Sequence, residues 1–185
     1  MDVANSAVLK VSEIAHNAQG LARWRSAFAS NNTDALEQQA TQMGVALHSA
    51  LEWATDTHHP QTVTEDMLVE RCALTQAQAR TVMQWVTQIL HHPEHQKWFD
   101  NTQFDEAHNE MAVVDAQGQV KRMDRWVRHG QEITILDYKS AWSAENLAMY
   151  ETQVREYMDL MKQIYPEHSI RGVLIRVDGA VHHIK

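Results

Sequence analysis

Two turn signals inside one β-prone stretch constrain this chain more than any other feature. Residues 109–140 read "NEMAVVDAQGQVKRMDRWVRHGQEITILDYKS", three short β-prone segments split at "DAQGQ" and "HGQE". The second break fits a two-residue hairpin loop, Gly130-Gln131, in which glycine supplies the positive φ of a type II′ turn. His129 then pairs with Glu132, and counting outward sets Asp124 opposite Asp137. The first break suits a three-residue loop with Asp115 at its first turn position and Gly118 at the left-handed position. That register sets Glu110 opposite Asp124.

Directly opposed residues in an antiparallel pair share a face, with Cβ atoms about 4.5–5.5 Å apart. The two registers therefore predict that Glu110, Asp124 and Asp137 converge on one face of a three-strand meander. Lys139 joins them because strand side chains alternate with period two. Three like charges so placed are unfavourable unless something positive sits between them. Oxygen ligands in that number suit a hard divalent cation, Mg²⁺ or Mn²⁺. With a lysine two residues beyond a ligand, the set fits metal-assisted hydrolysis of a phosphodiester.

Upstream, residues 1–100 read as helix after helix. "TDALEQQATQMGVALHSALEWAT" (33–55) opens on the capping residues Thr33 and Asp34 and carries Leu36, Ala40, Met43, Leu47 and Leu51 at helical spacing. A shorter helix is expected from Thr64 to Cys72, and "LTQAQARTVMQWVTQILHH" (74–92) begins with the capping box Thr75-x-x-Gln78. Downstream, a helix from about Ser143 to Tyr165 stops at Pro166, and two last strands flank the Asp178-Gly179 turn. The expected fold is α/β: a three-strand meander, a helix and two further strands, with a helical N-terminal part.

The formal charge of −8 argues against a protein that holds nucleic acid by bulk electrostatics, although metal-binding carboxylates contribute to it. One cysteine, Cys72, excludes an internal disulfide and a four-cysteine metal site. With no apolar run near the roughly 20 residues that span a bilayer, the expectation is a cytoplasmic protein with no membrane partner.

Four ordered motifs carry a resemblance. "MDR" and "LDYKS", with "GVALHSALE" before them and "QVREY" after, resemble the PD-(D/E)xK nuclease superfamily, specifically the RecB-like nuclease domain of UvrD-like helicases and of the RecBCD and AddAB complexes. The family's second-strand aspartate matches Asp124, and its D-x-K matches Asp137-Tyr138-Lys139. Its upstream helix motif gives Gly44, His48, Leu51 and Glu52, and its Q-x-x-x-Y gives Gln153 and Tyr157. The resemblance implies a restriction-endonuclease-like core that cuts DNA with Mg²⁺ or Mn²⁺. It implies His48 and the Tyr138 backbone carbonyl as further metal ligands beside Asp124, Asp137 and Glu110. Gln153 and Tyr157 would orient Lys139 or touch the DNA backbone. It also implies single-stranded or helicase-unwound DNA as substrate, in repair or recombination, and a UvrD-like helicase on the same chain or in complex.

The chain departs from the family in two places. Lys121 stands where many members carry glycine, and the four cysteines that hold an iron–sulfur cluster in some relatives are absent, so no cluster is expected. No G-x-x-x-x-G-K-[ST] signature occurs. The expectation is one nuclease domain over 1–185, helical over 1–100 with His48 and catalytic over 101–185, excised from a longer helicase–nuclease or standing alone.

Blander readings compete at several positions. Alone, Asp137 and Lys139 would be a cross-strand ion pair, and His48 a hydrogen-bonded, partly buried histidine. "HHPEH" (91–95) resembles a zinc site, but a helix end followed by a Pro-initiated turn explains it more simply. Trp24, Trp53 and Trp85 sit in helical patterns, whereas Trp126 and Trp142 flank the predicted site as candidates for DNA contact, with packing the alternative for both. The function alternative to a nuclease is a catalytically silent module of the same fold, used for DNA binding or docking. Such a module is expected to have lost one of Asp124, Asp137 or Lys139, and all three are present.

Overall fold

The capping signals in the sequence become helix starts. The computed structural model describes residues 35–115 and 118–185. Trp24 and the capping pair Thr33-Asp34 lie outside the described residues. Helix α1 spans Ala35–Ala54, α2 Glu65–Cys72 and α3 Gln76–His91. Thr64 caps α2 by accepting the Met67 N–H, and Thr75 with Gln78 forms the reciprocal box that opens α3. Pro93–His95 then makes one 3₁₀ turn, followed by the single turn of α4, Gln96–Phe99. His92 accepts the Glu94 N–H, and buried His95 stands between the Ile89 carbonyl (2.8 Å) and the Gly179 carbonyl (3.2 Å).

The meander follows as β1 (Glu106–Val114), β2 (Val120–His129) and β3 (Glu132–Lys139). Helix α5 (Ala144–Ile164) starts from a Ser143–Asn146 capping box and crosses over to β4 (Ser169–Arg176), which runs parallel to β3. Strand β5 (Val181–Ile184) returns antiparallel, giving a five-stranded sheet in the order β1-β2-β3-β4-β5. Helices α1–α3 cover one face with Leu47, Leu51, Val82 and Val86, packed on Val127, Leu136 and Val173. Helix α5 covers the other with Tyr157, Leu160 and Met161 against Met123, Trp126 and Ile135. This α/β arrangement is the restriction-endonuclease-like one expected. No helix among the described residues is long and apolar enough to cross a membrane.

Both hairpin registers are as counted from the turns. His129 pairs with Glu132 across Gly130, whose φ is +55°. Val114 pairs with Val120, and the Gly118 N–H donates to the Asp115 carbonyl (3.0 Å) with Gly118 at φ +79°. The flat face assumed in that count is not what forms, however. Met111 pairs with Met123 and Asn109 with Arg125, but the rung between them, Glu110 with Asp124, is missing from the ladder. Glu110 has φ +53°, left-handed backbone in a residue other than glycine. Met111 and Met123 pack on the α5 side, whereas Asn109 and Arg125 bond to the end of α1. Period-two alternation would keep each pair two residues apart on one side. Both strands break that alternation at the same rung, so the sheet is creased at Glu110 and Asp124.

Candidate metal centre

Side chains from both layers meet at the crease. His48 on α1, Glu110 on β1 and Asp124 on β2 bring one ligand atom each within 4.8 Å of one another. His48 Nδ1 lies 3.0 Å from Asp124 Oδ1. The other Asp124 oxygen closes a fork between strands. The β2–β3 ladder runs from His129–Glu132 to Arg125–Leu136 and stops. On the next hydrogen-bonded rung the Tyr138 N–H would reach the Met123 carbonyl. It donates instead to Asp124 Oδ2 at 2.8 Å. A strand residue exchanges its N–H and C=O bonds on the same side, so the Tyr138 carbonyl also faces this fork.

Asp137 stands beside the three residues rather than among them. It is 2% exposed on β3, and Lys139 Nζ lies 2.7 Å from its Oδ2. That contact is a buried, charge-assisted ion pair. Lys139 is held from two further sides: it donates to Gln153 Oε1 (3.3 Å) and lies 4.6 Å over the Tyr150 ring. Gln153 in turn donates to the Tyr157 hydroxyl at 2.7 Å. Asp137, Lys139, Gln153 and Tyr157 thus form one polar chain from β3 to α5.

Crowding of acids sets the electrostatics. Burial and the neighbouring Asp124 carboxylate push Glu110 up to about 7, although Arg122 pairs with it. Burial and Asp124 likewise push Asp137 up to about 6, against the pull of Lys139. For Asp124, burial acts upward but is outweighed by His48, the Tyr138 amide and Lys139, which hold it below the usual carboxylate range. For His48, burial acts downward and is outweighed by Asp124, with help from Asp137 and Glu110, raising it to about 9. The site thus retains protons that a divalent cation would replace. Two carboxylates and an imidazole within reach of one point, beside the buried Asp137 carboxylate, fit such an ion.

Trp126 is fully buried, donates its indole N–H to Met111 Sδ (2.9 Å) and stacks on His108 at 4.8 Å, so it packs in the core, the alternative weighed for it from the sequence. The alternation that carries Asp124 into the crease turns the residue two further on beneath α5. Trp142 is half-buried, with the Arg176 guanidinium 4.9 Å over its ring. Trp53 and Trp85 pack against the helical core.

Sequence reasoning missed four neighbours of the site. Arg122 covers Glu110 and Tyr150 flanks Lys139; both look like ordinary surface residues in the sequence. Asn109 and Arg125 bond to α1, and a charged residue at a core position in "MDRW" was the available signal.

A comparison with curated proteins finds none that matches. A family model described as the PD-(D/E)XK nuclease superfamily matches residues 12–183, nearly the whole chain, and the chain belongs to that superfamily.

Proposed function

We propose that this protein is a Mg²⁺- or Mn²⁺-dependent deoxyribonuclease of the RecB-like type, working on DNA unwound by a UvrD-like helicase in repair or recombination. The observation that carries the reading is the meeting of His48, Glu110 and Asp124 within 4.8 Å at the sheet crease. These three would hold the ion, with Asp137 and the Tyr138 carbonyl as further oxygen donors. When bound, a divalent cation polarises a phosphoryl oxygen and lowers the pKa of water.

The chain's own residues supply the rest. His48 gives up its proton on metal binding, since a ligand imidazole is neutral. Asp137 and Gln153 hold the Lys139 ammonium beside the carboxylates, where it offsets negative charge developing on a phosphate. Tyr157 fixes Gln153, and so the lysine, from the neighbouring turn of α5. The subtype and the helicase partner rest on the resemblance carried by the four ordered motifs. The net charge of −8 supports weak intrinsic affinity for DNA, with the motor delivering the strand.

The test is cleavage of labelled single- and double-stranded DNA in Mn²⁺, Mg²⁺ or EDTA, comparing wild type with Asp137→Ala and Lys139→Ala, with and without a UvrD-like helicase. The reading requires metal-dependent cutting that both substitutions remove. Metal-independent cutting, or none even with the helicase, would overturn it.

A further inference from the structure

Arg125 carries a buried charge with no carboxylate partner among the described residues. Its side chain is 0% exposed, and its bonds go to neutral oxygens: Nε to the Trp98 carbonyl (3.2 Å), Nη1 to the Thr55 carbonyl (3.1 Å) and to Asn109 Oδ1 (2.7 Å). The rings of Phe99 and Phe104 lie 5.6 and 5.4 Å from the guanidinium. Burying an ion this way is expensive, and an apolar residue of similar volume often serves stability as well or better. Packing alone is therefore a poor account of Arg125.

Its bonds give a better one. Asn109 and Arg125 are cross-strand partners, each the sequence neighbour of a candidate ligand, Glu110 and Asp124. The crease turns both toward the C-terminal end of α1, the helix that carries His48. The last carbonyls of a helix have no partner within it and bear its negative end. Here two carbonyls at that end, those of Glu52 and Thr55, are met from the sheet. Asn109 Nδ2 donates to the Glu52 carbonyl (3.1 Å) and the Thr55 hydroxyl (3.0 Å), while Arg125 takes the Thr55 carbonyl. The Thr55 hydroxyl donates back into the helix at the Leu51 carbonyl (2.7 Å). Three hydrogen bonds from the sheet thus tie the end of α1 to the rung flanking Glu110 and Asp124.

We propose that Asn109, Arg125 and Thr55 are positioning residues: they clasp α1 to the crease and so set how tightly His48, Glu110 and Asp124 hold a divalent ion. The inference rests on the metal-site reading above. His48 comes from one layer and the two carboxylates from the other, so a shift of α1 along the sheet changes the spacing of the whole set. The clasp opposes that shift at the crease itself, about two helical turns from His48.

The test measures Mn²⁺ affinity by calorimetry on the intact chain, apart from any cleavage. Asn109→Leu and Thr55→Val keep shape and remove the bonds; Thr55→Ser keeps the hydroxyl. Val86→Ala, a core truncation in α3, controls for lost stability, and each variant's melting temperature is recorded in EDTA. Groups hydrogen-bonded directly to metal ligands are worth about 10–100-fold in affinity, and the lower end of that range sets the scale for residues that hold the helix carrying a ligand. The clasp predicts a dissociation constant raised at least about tenfold in Asn109→Leu and Thr55→Val, with Thr55→Ser and Val86→Ala near wild type. Losses no larger than that of Val86→Ala would overturn the clasp alone. A wild type that binds no Mn²⁺ would overturn the metal site and the clasp together.

Discussion

Asp124 Oδ2 accepts the Tyr138 N–H at 2.8 Å and so takes the place of the missing rung between β2 and β3, while Oδ1 faces His48. One carboxylate closes a strand fork and serves the candidate ion. The two roles separate by substitution. Asp124→Asn keeps an acceptor for the Tyr138 amide and removes the charge, whereas Asp124→Ala leaves that amide without a partner. In EDTA, urea unfolding is expected to find the Ala variant less stable than the Asn variant by about 1–3 kcal/mol. Both should be inactive in the cleavage assay. Equal stabilities would mean that the amide finds another acceptor.

Glu110 trades stability for ligation. Its left-handed φ of +53° is costly for glutamate and free for glycine, and its buried carboxyl is held up to about 7. Glu110→Gly is therefore expected to stabilise the metal-free protein, by about 1 kcal/mol, while weakening Mn²⁺ binding. Thermal melts in EDTA paired with Mn²⁺ titration read both quantities. A glycine variant less stable than wild type would show that the Arg122 pairing outweighs the strain.

The pH dependence follows from the same groups. Asp137, Glu110 and His48 all have folded values above their ordinary 3.8, 4.5 and 6.5, at about 6, 7 and 9. A group raised in this way binds protons more tightly when folded. Its contribution is full below the ordinary value and is lost as pH rises through the folded one. Asp124, held low, acts in the opposite sense and contributes above 3.8. The metal-free protein should therefore melt at a lower temperature at pH 9 than at pH 5.5. Mn²⁺ should flatten that fall, since it binds the deprotonated ligands, and its affinity should rise with pH. A melting temperature in EDTA that climbs from pH 5.5 to 9 would contradict these assignments.

Gly172 marks where α5 meets β4. A Cβ there would stand 2.4 Å from Val154 Cγ1 and 3.0 Å from Met158 Sδ. Gly172→Ala forces the crossover helix off the strand, at a cost of about 1–3 kcal/mol in denaturant unfolding. Because α5 also carries Gln153 and Tyr157, cleavage should fall more than Mn²⁺ affinity does.

Much of this was legible from local rules. Gly130 and Gly118 fixed both hairpin registers, because only a few loop lengths join paired strands. Thr64, Thr75 and Ser143 marked helix starts, since their side chains satisfy the first free N–H groups. The crease was not legible: nothing in "HNEMA" announces a left-handed glutamate, and the strand count holds whether or not the rung forms. The burial of Trp126 was hidden for the same reason, since alternation places it with Asp124 but not beneath a helix. The clasp joins residues 54 positions apart in the sequence at its Thr55–Asn109 contact, and no periodicity reports such a pairing.

The most direct measurement is a crystal of the protein soaked in Mn²⁺, with anomalous scattering used to locate the ion. One strong peak is expected at the crease, about 2.1 Å from an oxygen of Asp124, with His48 and Glu110 as further ligands. No peak there at millimolar Mn²⁺, or an ion bound without Asp124, would contradict the metal-site reading.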